Sequence, residues 1–164
     1  TLRRSSAASD VYKRQDLSGN NQKVMEAWEI ARDERSDLIA FPEMFITGYN
    51  PQDLILKNAF QQAATSSIEQ IAAACSQGPA IAIGGPFCDG DKLYNSYYIL
   101  ADGEIQAVIK KHHLPNEEVF DEVRLFSSGN VDGPFQIGKM RIGSPICEDA
   151  WHSDIVETLS LIHI

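Results

Sequence analysis

The feature that most restricts the fold of this chain is an alternation of short strand-like runs with two longer stretches of helical periodicity. Helices that alternate with strands and hairpins bury their apolar faces best in layers, which predicts an α/β domain with a mixed sheet. The predicted helices span residues 19–35 and 58–75, and the predicted strands span residues 37–41, 80–84, 93–100, 104–110, 135–137 and 140–146.

Local signals support these elements. Asn20 and Asn21 are candidate caps for the first helix. The Asp102-Gly103 dipeptide favours a tight hairpin between the strands 93–100 and 104–110. Residues 114–128 are charged and irregular, which indicates an exposed loop. The apolar residues of the first helix recur at near-helical intervals and are therefore predicted to face the core: Val24, Ala27, Trp28, Ile30 and Ala31.

The terminal segments of the chain can be encoded by the two strands of one oligonucleotide. The segment DVYKRQ can be written GATGTGTATAAGAGACAG, and the reverse complement, CTGTCTCTTATACACATC, translates as LSLIHI, with which the chain ends. Two unrelated natural ends would rarely be encoded by the two strands of one oligonucleotide. We therefore interpret residues 1–15 and 159–164 as translated sequencing adapter, and residues 16–158 as a partial domain that is truncated at both ends.

The charge of the chain argues against a nucleic acid or a membrane surface as its partner, since both favour a basic face. The terminal segments contain four of the 14 basic residues and one of the 23 acidic residues, so residues 16–158 carry a net charge of −12. No stretch reaches the roughly 18 apolar residues of a membrane span. Cys75, Cys88 and Cys147 have unrelated spacings, which predicts neither a disulfide framework nor a metal site and fits a reducing cytoplasm.

A cysteine at the end of the last predicted strand is the first candidate for chemistry. Within the stretch RIGSPICEDAW, Cys147 follows the strand and two carboxylates come next. A thiol on a tight turn can enter a pocket where backbone N–H groups gather, as a nucleophile for acyl transfer requires. The alternative is a small buried thiol without a chemical role, which is common for cysteine.

Two further reactive groups follow predicted strands. Glu43, in FPEM, is expected to be partly desolvated, which suits a general base. Lys111 follows the strand 104–110 and could stabilise an oxyanion in the same cleft, because open α/β sheets place sites at strand ends. The residues alone leave alternatives open: an exposed loop glutamate, a solvated basic patch in KKHH, and a Cys–His dyad with His112 or His113.

The chain resembles the nitrilase superfamily of carbon–nitrogen hydrolases in three stretches: FPEMFITGYNPQDLILKNAF, KKHHLPNEEVFDEVRLF and PICEDAW. More narrowly, these stretches resemble the glutamine-amidase domain of glutamine-dependent NAD synthetases. TGY followed by P-x-D-L, and LPN followed by VFDE-x-R-x-F, are typical of that branch. The resemblance covers residues 16–158 and matches the K-x-x-L-P spacing at Lys111 rather than Lys110.

This resemblance implies a nitrilase-like αββα sandwich and hydrolysis of the glutamine amide by a Cys–Glu–Lys triad. Glu43 would take the proton of Cys147, and Lys111 would hold the oxyanion together with backbone N–H groups, including that of Glu148. Tyr49, Glu148 and Trp151 fall where the family lines its glutamine pocket. No cofactor or metal is expected in this domain.

The resemblance also implies partners beyond glutamine. Ammonia would pass to an ATP- and magnesium-dependent synthetase domain that amidates deamido-NAD, and that domain is absent from this chain. We further expect a homo-oligomer. Two rival functions stay open: another carbon–nitrogen hydrolase, such as an ω-amidase or a carbamoylase, and an inactive fragment or binding module that keeps the fold without turnover.

One position departs from the family pattern. Family members usually read LPNYGVFDE, with a tyrosine that contacts glutamine, whereas this chain reads LPNEEVFDE. Glu117 therefore stands in the place of that tyrosine. Its carboxylate could repel the α-carboxylate of glutamine or pair with the α-ammonium, so Glu117 is predicted to affect substrate binding.

Overall fold

The computed structural model describes residues 13–117 and 119–161. Of the predicted adapter segments, residues 1–12 and 162–164 lie outside the described residues. In chain order the described elements are α1 (Leu17–Asp33), β1 (Leu38–Ala40), a 3₁₀ helix (Gln52–Leu56), α2 (Asn58–Ala74), β2 (Ala80–Asp89), β3 (Lys92–Ala101), β4 (Glu104–Lys110), α3 (Glu122–Leu125), β5 (Phe135–Ile137), β6 (Met140–Ile142), a second 3₁₀ helix (Cys147–Trp151) and α4 (Ser153–Leu161).

The main sheet has the strand order β1-β2-β3-β4. β1 and β2 are parallel, whereas β3 is antiparallel to both β2 and β4. β4 therefore runs in the same direction as β1, so the carboxyl ends of β1 and β4 lie at the same edge of the sheet. This topology brings the segments that follow Ala40 and Lys110 to one side of the molecule.

The two faces of the sheet are covered by different layers. Helices α1 and α2 bury Trp28, Ile68 and Ile71 against one face, where they meet Ile81 and Tyr98 of the sheet. On the other face, the β5–β6 hairpin and the segment that follows it form a second apolar cluster around Ala82, Ile99, Ile109, Phe135 and Ile146. The predicted α/β class with a mixed sheet is therefore confirmed.

The start of α1 differs from the prediction. Asp16, rather than Asn20 or Asn21, caps the helix by accepting a hydrogen bond from Gly19 N at 2.9 Å. Asn20 lies inside the helix, is fully buried, and donates from Nδ2 to Ile46 O at 3.0 Å. A buried amide can satisfy a loop carbonyl in this way, and the loop becomes fixed to the helix.

The residues of α1 that periodicity assigned to the core are not all buried. Val24, Trp28 and Ala31 are buried as expected, but Ile30 is 58% exposed. The buried stripe of a helix is narrower than the set of apolar residues near it, and Ile30 lies outside the stripe defined by residues 24, 28 and 31.

The segment before Cys147 also corrects the prediction. β6 ends at Ile142 instead of residue 146, and the chain continues through Gly143 and Pro145 without regular structure. Cys147 then begins a 3₁₀ helix that the sequence did not predict. The register that pairs Phe135 with Ile142 puts Pro134 opposite Gly143, and a proline cannot donate to a strand ladder, which explains why pairing stops early. None of the helices within residues 13–117 and 119–161 is long and apolar enough to cross a membrane.

Candidate active site

Lys111 is the first residue after β4 and is completely buried. Its backbone N–H donates to Asn95 O at 2.9 Å and extends the pairing with β3 by one residue. Lys110 instead forms an ion pair with Asp89 and lies over the ring of Tyr94. Because successive strand residues point to opposite faces, Lys111 enters the interior while Lys110 stays at the surface. The solvated-patch interpretation is therefore wrong for Lys111.

Glu43 lies in the turn after β1, and its side chain is 16% exposed. A side chain at Gly84 of β2 would overlap Met44 N and lie 2.7 Å from Glu43 Cα, so only glycine lets this turn lie flat against the sheet. Ile46 N donates to Gly84 O at 3.2 Å and holds the turn in place. The carboxylate accepts a hydrogen bond from Lys111 Nζ at 2.7 Å.

A second carboxylate, which the sequence did not reveal as a site residue, belongs to the same cluster. Glu122 is buried at the start of α3, and Lys111 Nζ lies 2.9 Å from its Oε2. The hydroxyl of Tyr49 donates to Glu122 Oε1 at 2.9 Å. The sequence signal that could have revealed Glu122 is its helical spacing from Leu125 and Phe126, which are also buried.

Asn95 is another member that sequence reasoning missed. It lies in β3, is fully buried, and donates from Nδ2 to Glu43 Oε1 at 2.7 Å. The same Nδ2 lies 3.4 Å from Glu122 Oε2. An amide at this position supplies a second donor to the carboxylates and leaves Lys111 as the cation that they share.

The protonation of this cluster follows from its charges. Burial lowers the pKa of Lys111, but Glu43 and Glu122 outweigh burial and hold that pKa above its usual value. Burial raises the pKa of Glu122 and the charge of Glu43 adds to the rise, although Lys111 opposes it. Removing the lysine would leave two carboxylates together in a desolvated site, which typically costs about 3–5 kcal/mol.

Cys147 opens the second 3₁₀ helix with a left-handed backbone (φ 48°), which is uncommon for a residue other than glycine. The residue is exposed and lines a cavity of about 240 Å³ with Pro42, Glu43, Tyr97 and Ser144. Partial desolvation raises the pKa of the Cys147 thiol, and Glu43 raises it further through its charge and a hydrogen bond, against an opposing effect of Lys111. The thiol and the Glu43 carboxylate line the same cavity.

The four residues predicted to bind substrate do not all line the same cavity. Glu117 and Glu148 line one cavity of about 480 Å³, together with His113, Phe120 and His152. Tyr49 is half-buried and bonded to Glu122, and burial, followed by the charge of Glu122, raises its pKa well above the usual range. Trp151 is 84% exposed at the end of the 3₁₀ helix, so its contact with substrate stays a prediction.

The histidines considered for a Cys–His dyad have other partners. His112 Nδ1 lies 2.6 Å from Gly129 O, and His113 Nε2 lies 3.0 Å from Asp154 Oδ2. His113 also stacks on His152, with ring centroids 3.7 Å apart. Glu43 lines the cavity of Cys147, whereas neither His112 nor His113 is among the residues that line it, so the geometry favours a carboxylate over an imidazole as the proton acceptor.

The described residues thus bring a thiol, a carboxylate and a buried ammonium group to one edge of the sheet. Acyl transfer needs these three groups: a nucleophile, a base for its proton, and a cation for the developing oxyanion. This combination of fold and site defines a layered α/β protein with a thiol, a carboxylate and a buried ammonium group at one edge of its mixed sheet.

Comparison with known proteins identifies the family within that class. The sequence model of the family described as carbon-nitrogen hydrolase matches residues 5–163. The chain therefore belongs to the carbon–nitrogen hydrolase family of enzymes, the nitrilase superfamily.

Two similar curated relatives share one description. The chain is 46% identical over 144 residues to a glutamine-dependent NAD(+) synthetase of Rhodobacter capsulatus, covering 88% of this chain and 26% of that protein. A protein of the same description from Thermotoga maritima is 39% identical over 139 residues, covering 84% of this chain and 24% of that protein. The chain thus spans about a quarter of the length of these relatives.

Solved structures support the fold. The glutamine-dependent NAD+ synthetase of Acinetobacter baumannii superposes with a TM-score of 0.86 at 31% identity, covering 96% of this chain and 30% of that chain. An amidase of Nesterenkonia sp. superposes with a TM-score of 0.75 at 21% identity, covering 89% of this chain and 56% of that chain, which is a likeness of fold alone. The predicted nitrilase-like fold is confirmed.

Proposed function

We propose that residues 16–158 belong to a glutamine amidase domain in which Cys147, Glu43 and Lys111 hydrolyse the side-chain amide of glutamine. The observation that carries this proposal is the buried contact of Lys111 Nζ with Glu43 Oε1 at 2.7 Å, beside the Cys147 thiol. Removing a lysine and a carboxylate from water is costly, so a buried ion pair is weak evidence of a purely stabilising role. A fixed cation next to a thiol and its base has a chemical role in acyl transfer, where it stabilises the oxyanion.

The first half of the reaction forms a thioester. Because the pKa of Cys147 is raised, the resting enzyme holds a neutral thiol beside the Glu43 carboxylate. Glu43 takes the proton as the sulfur attacks the amide carbon of glutamine. Lys111 Nζ and backbone N–H groups, including that of Glu148, stabilise the oxyanion. Glu43 then returns the proton to the amide nitrogen, and ammonia leaves as the C–N bond breaks.

The second half regenerates the thiol. Glu43 removes a proton from a water molecule, whose oxygen attacks the thioester carbon. The C–S bond then breaks, glutamate is released, and Glu43 returns the proton to the sulfur of Cys147. Glu122 and Asn95 support both halves because Glu122 pairs with Lys111 and Asn95 donates a hydrogen bond to Glu43. No metal or cofactor takes part in this scheme.

The partners of this domain follow from the same proposal. Ammonia is passed to an ATP- and magnesium-dependent synthetase domain of the parent protein, where it amidates deamido-NAD in the cytoplasm. The parent protein assembles as a homo-oligomer. Relatives of about four times this length that are described as glutamine-dependent NAD(+) synthetases support this coupling.

The substrate preference is tested by measuring ammonia release by the protein that the full reading frame encodes. We expect ammonia release from glutamine to exceed that from acetamide, N-carbamoyl amino acids and α-ketoglutaramate by orders of magnitude in kcat/KM. A preference for a small free amide or a carbamoyl compound would favour the rival carbon–nitrogen hydrolase. No hydrolysis of any of these compounds would favour a binding module.

Glu117 is expected to weaken the binding of glutamine. Its carboxylate lies with Glu148 in the cavity of about 480 Å³, where two like charges disfavour the α-carboxylate of the substrate. Glu117→Tyr is expected to lower the KM for glutamine by about tenfold, which corresponds to about 1.4 kcal/mol, with little change in kcat. Steady-state kinetics measures the change, and Glu104→Tyr on the exposed end of β4 is the control. An unchanged KM in Glu117→Tyr would make Glu117 irrelevant to binding.

A further inference from the structure

Asp149 is a buried carboxylate whose hydrogen bonds connect two separate parts of the chain. It lies in the 3₁₀ helix that Cys147 begins, and it is 4% exposed. Asp149 Oδ1 accepts from His113 N at 2.7 Å and from His112 N at 3.2 Å. Asp149 Oδ2 accepts from Ile146 N at 3.3 Å and from His112 N at 3.4 Å.

The backbone groups that donate to Asp149 lie next to Lys111 and Cys147 in the sequence. Ile146 N belongs to the residue immediately before Cys147, and His112 N belongs to the residue immediately after Lys111. One side chain therefore holds the backbone on the N-terminal side of the cysteine and the backbone on the C-terminal side of the lysine. The two segments come from different sheets, since Lys111 follows β4 of the main sheet and Cys147 follows the β5–β6 hairpin.

The bond to Ile146 also explains the unusual backbone of Cys147. A side chain at the third position of a helix that reaches back to the N–H before its first turn stabilises the start of the helix. Cys147 has a positive φ at this point, a conformation that persists only where surrounding contacts impose it. Asp149 supplies one such contact directly.

We propose that Asp149 is a positioning residue that fixes the distance between the Cys147 thiol and the Lys111–Glu43 pair. The proposal rests on the proposed function, because the distance matters only if these groups react together. Asp149 itself touches neither substrate nor the reacting atoms. It acts by holding the two backbone segments that carry them.

The chemistry of a carboxylate explains why an amide cannot replace it. Two carboxylate oxygens can accept all three N–H groups, and charge-assisted bonds of this kind are roughly twice as strong as neutral ones. In asparagine, one oxygen would become an NH₂ group that faces backbone donors. The segments would then separate, and a displacement of about 1 Å at a reacting group can lower the rate about 100-fold.

The test compares Asp149→Asn with Asp154→Asn in the protein encoded by the full reading frame. Asp154 is exposed and bonds only to the ring of His113 and to its own helix among the contacts described, so it controls for the same chemical change nearby. The number of reactive sites is first counted by stoichiometric alkylation of Cys147. We expect Asp149→Asn to lower kcat per counted site about 100-fold with KM nearly unchanged. Asp154→Asn should retain wild-type kcat, and Asp149→Glu, which keeps two acceptor oxygens, should recover part of the loss.

The possible results separate the hypotheses. If Asp149→Asn lowers the number of reactive sites but leaves kcat per site unchanged, Asp149 only maintains folding and the proposal is wrong. If the wild-type protein does not hydrolyse glutamine, the proposed function fails, and the pH dependence of Cys147 alkylation then decides about Asp149. A midpoint in Asp149→Asn that differs from wild type supports positioning, because Glu43 and Lys111 both influence the thiol. An identical midpoint overturns it.

Discussion

Cys147→Ala is expected to reduce glutamine hydrolysis by a factor on the order of 10⁶, to background, because no other thiol among the described residues lines the cavity of Glu43. The described structure gives the reason for choosing this cysteine. Cys147 shares a cavity with Glu43, whereas Cys75 is buried between α1 and α2 and lies 3.6 Å from the sulfur of Met25. Burial raises the pKa of Cys75 to about 11, so it is a poor nucleophile at neutral pH.

The control for this loss is the exposed Cys88. Its thiol lies 3.3 Å from Gln61 Oε1 near the carboxyl end of β2, outside the cavity that Cys147 and Glu43 line, and Cys88→Ala should retain the wild-type rate of ammonia release. Cys75→Ala should also remain active, with a modest loss of stability from the cavity it leaves. Equal loss of activity in Cys147→Ala and Cys75→Ala would show that the nucleophile has been assigned to the wrong thiol.

Glu43→Gln is expected to lower kcat about 10²–10⁴-fold while making the Cys147 thiol more acidic. The two effects have one cause. The Glu43 carboxylate raises the pKa of Cys147 through its charge and its hydrogen bond, and Lys111 lowers it. Replacing the carboxylate with a neutral amide removes the first influence and keeps the second, so the pKa of Cys147 falls. The thiolate then forms at lower pH, but no base remains to move protons during turnover.

Alkylation with iodoacetamide at a series of pH values measures this change. Cys88→Ser is used as the background, so that the exposed thiol besides Cys147 among the described residues is removed. The midpoint of the alkylation rate should lie at lower pH in Glu43→Gln than in wild type. Asp154→Asn, which changes a carboxylate outside the cluster, should leave the midpoint unchanged. A midpoint that moves to higher pH in Glu43→Gln would mean that Cys147 does not face Glu43.

The strands that carry the site could be predicted because a strand has a local signal in the sequence, a short apolar run. Apolar runs of the right length located β1 and β4, and their ends indicated Glu43 and Lys111. The predicted bounds of β4 and β5 agree with the structure. Whether Lys111 was buried or solvated could not be decided from KKHH, because that outcome depends on the partners that the fold supplies.

Those partners were not predictable from local pattern. Glu122 and Asn95 are polar residues inside apolar surroundings, and burial of a polar group is favourable only when distant groups complete its hydrogen bonds. Asn95 comes from β3 and Glu122 from a segment that looked irregular and exposed. The turn at Cys147 escaped prediction for the same reason, since Asp149 stabilises it through bonds to residues 36 and 37 positions earlier in the chain.

The proposed reaction requires a covalent bond between Cys147 and the side-chain carbon of glutamine. Its most direct test is mass spectrometry of the protein encoded by the full reading frame after exposure to a chloroketone analogue of glutamine. We expect one adduct per chain on the peptide that contains Cys147. Glutamine should block its formation, acetamide should not, and Cys147→Ala should abolish it. An adduct on Cys88 or Cys75, or labelling of Cys147 that glutamine does not slow, would contradict it.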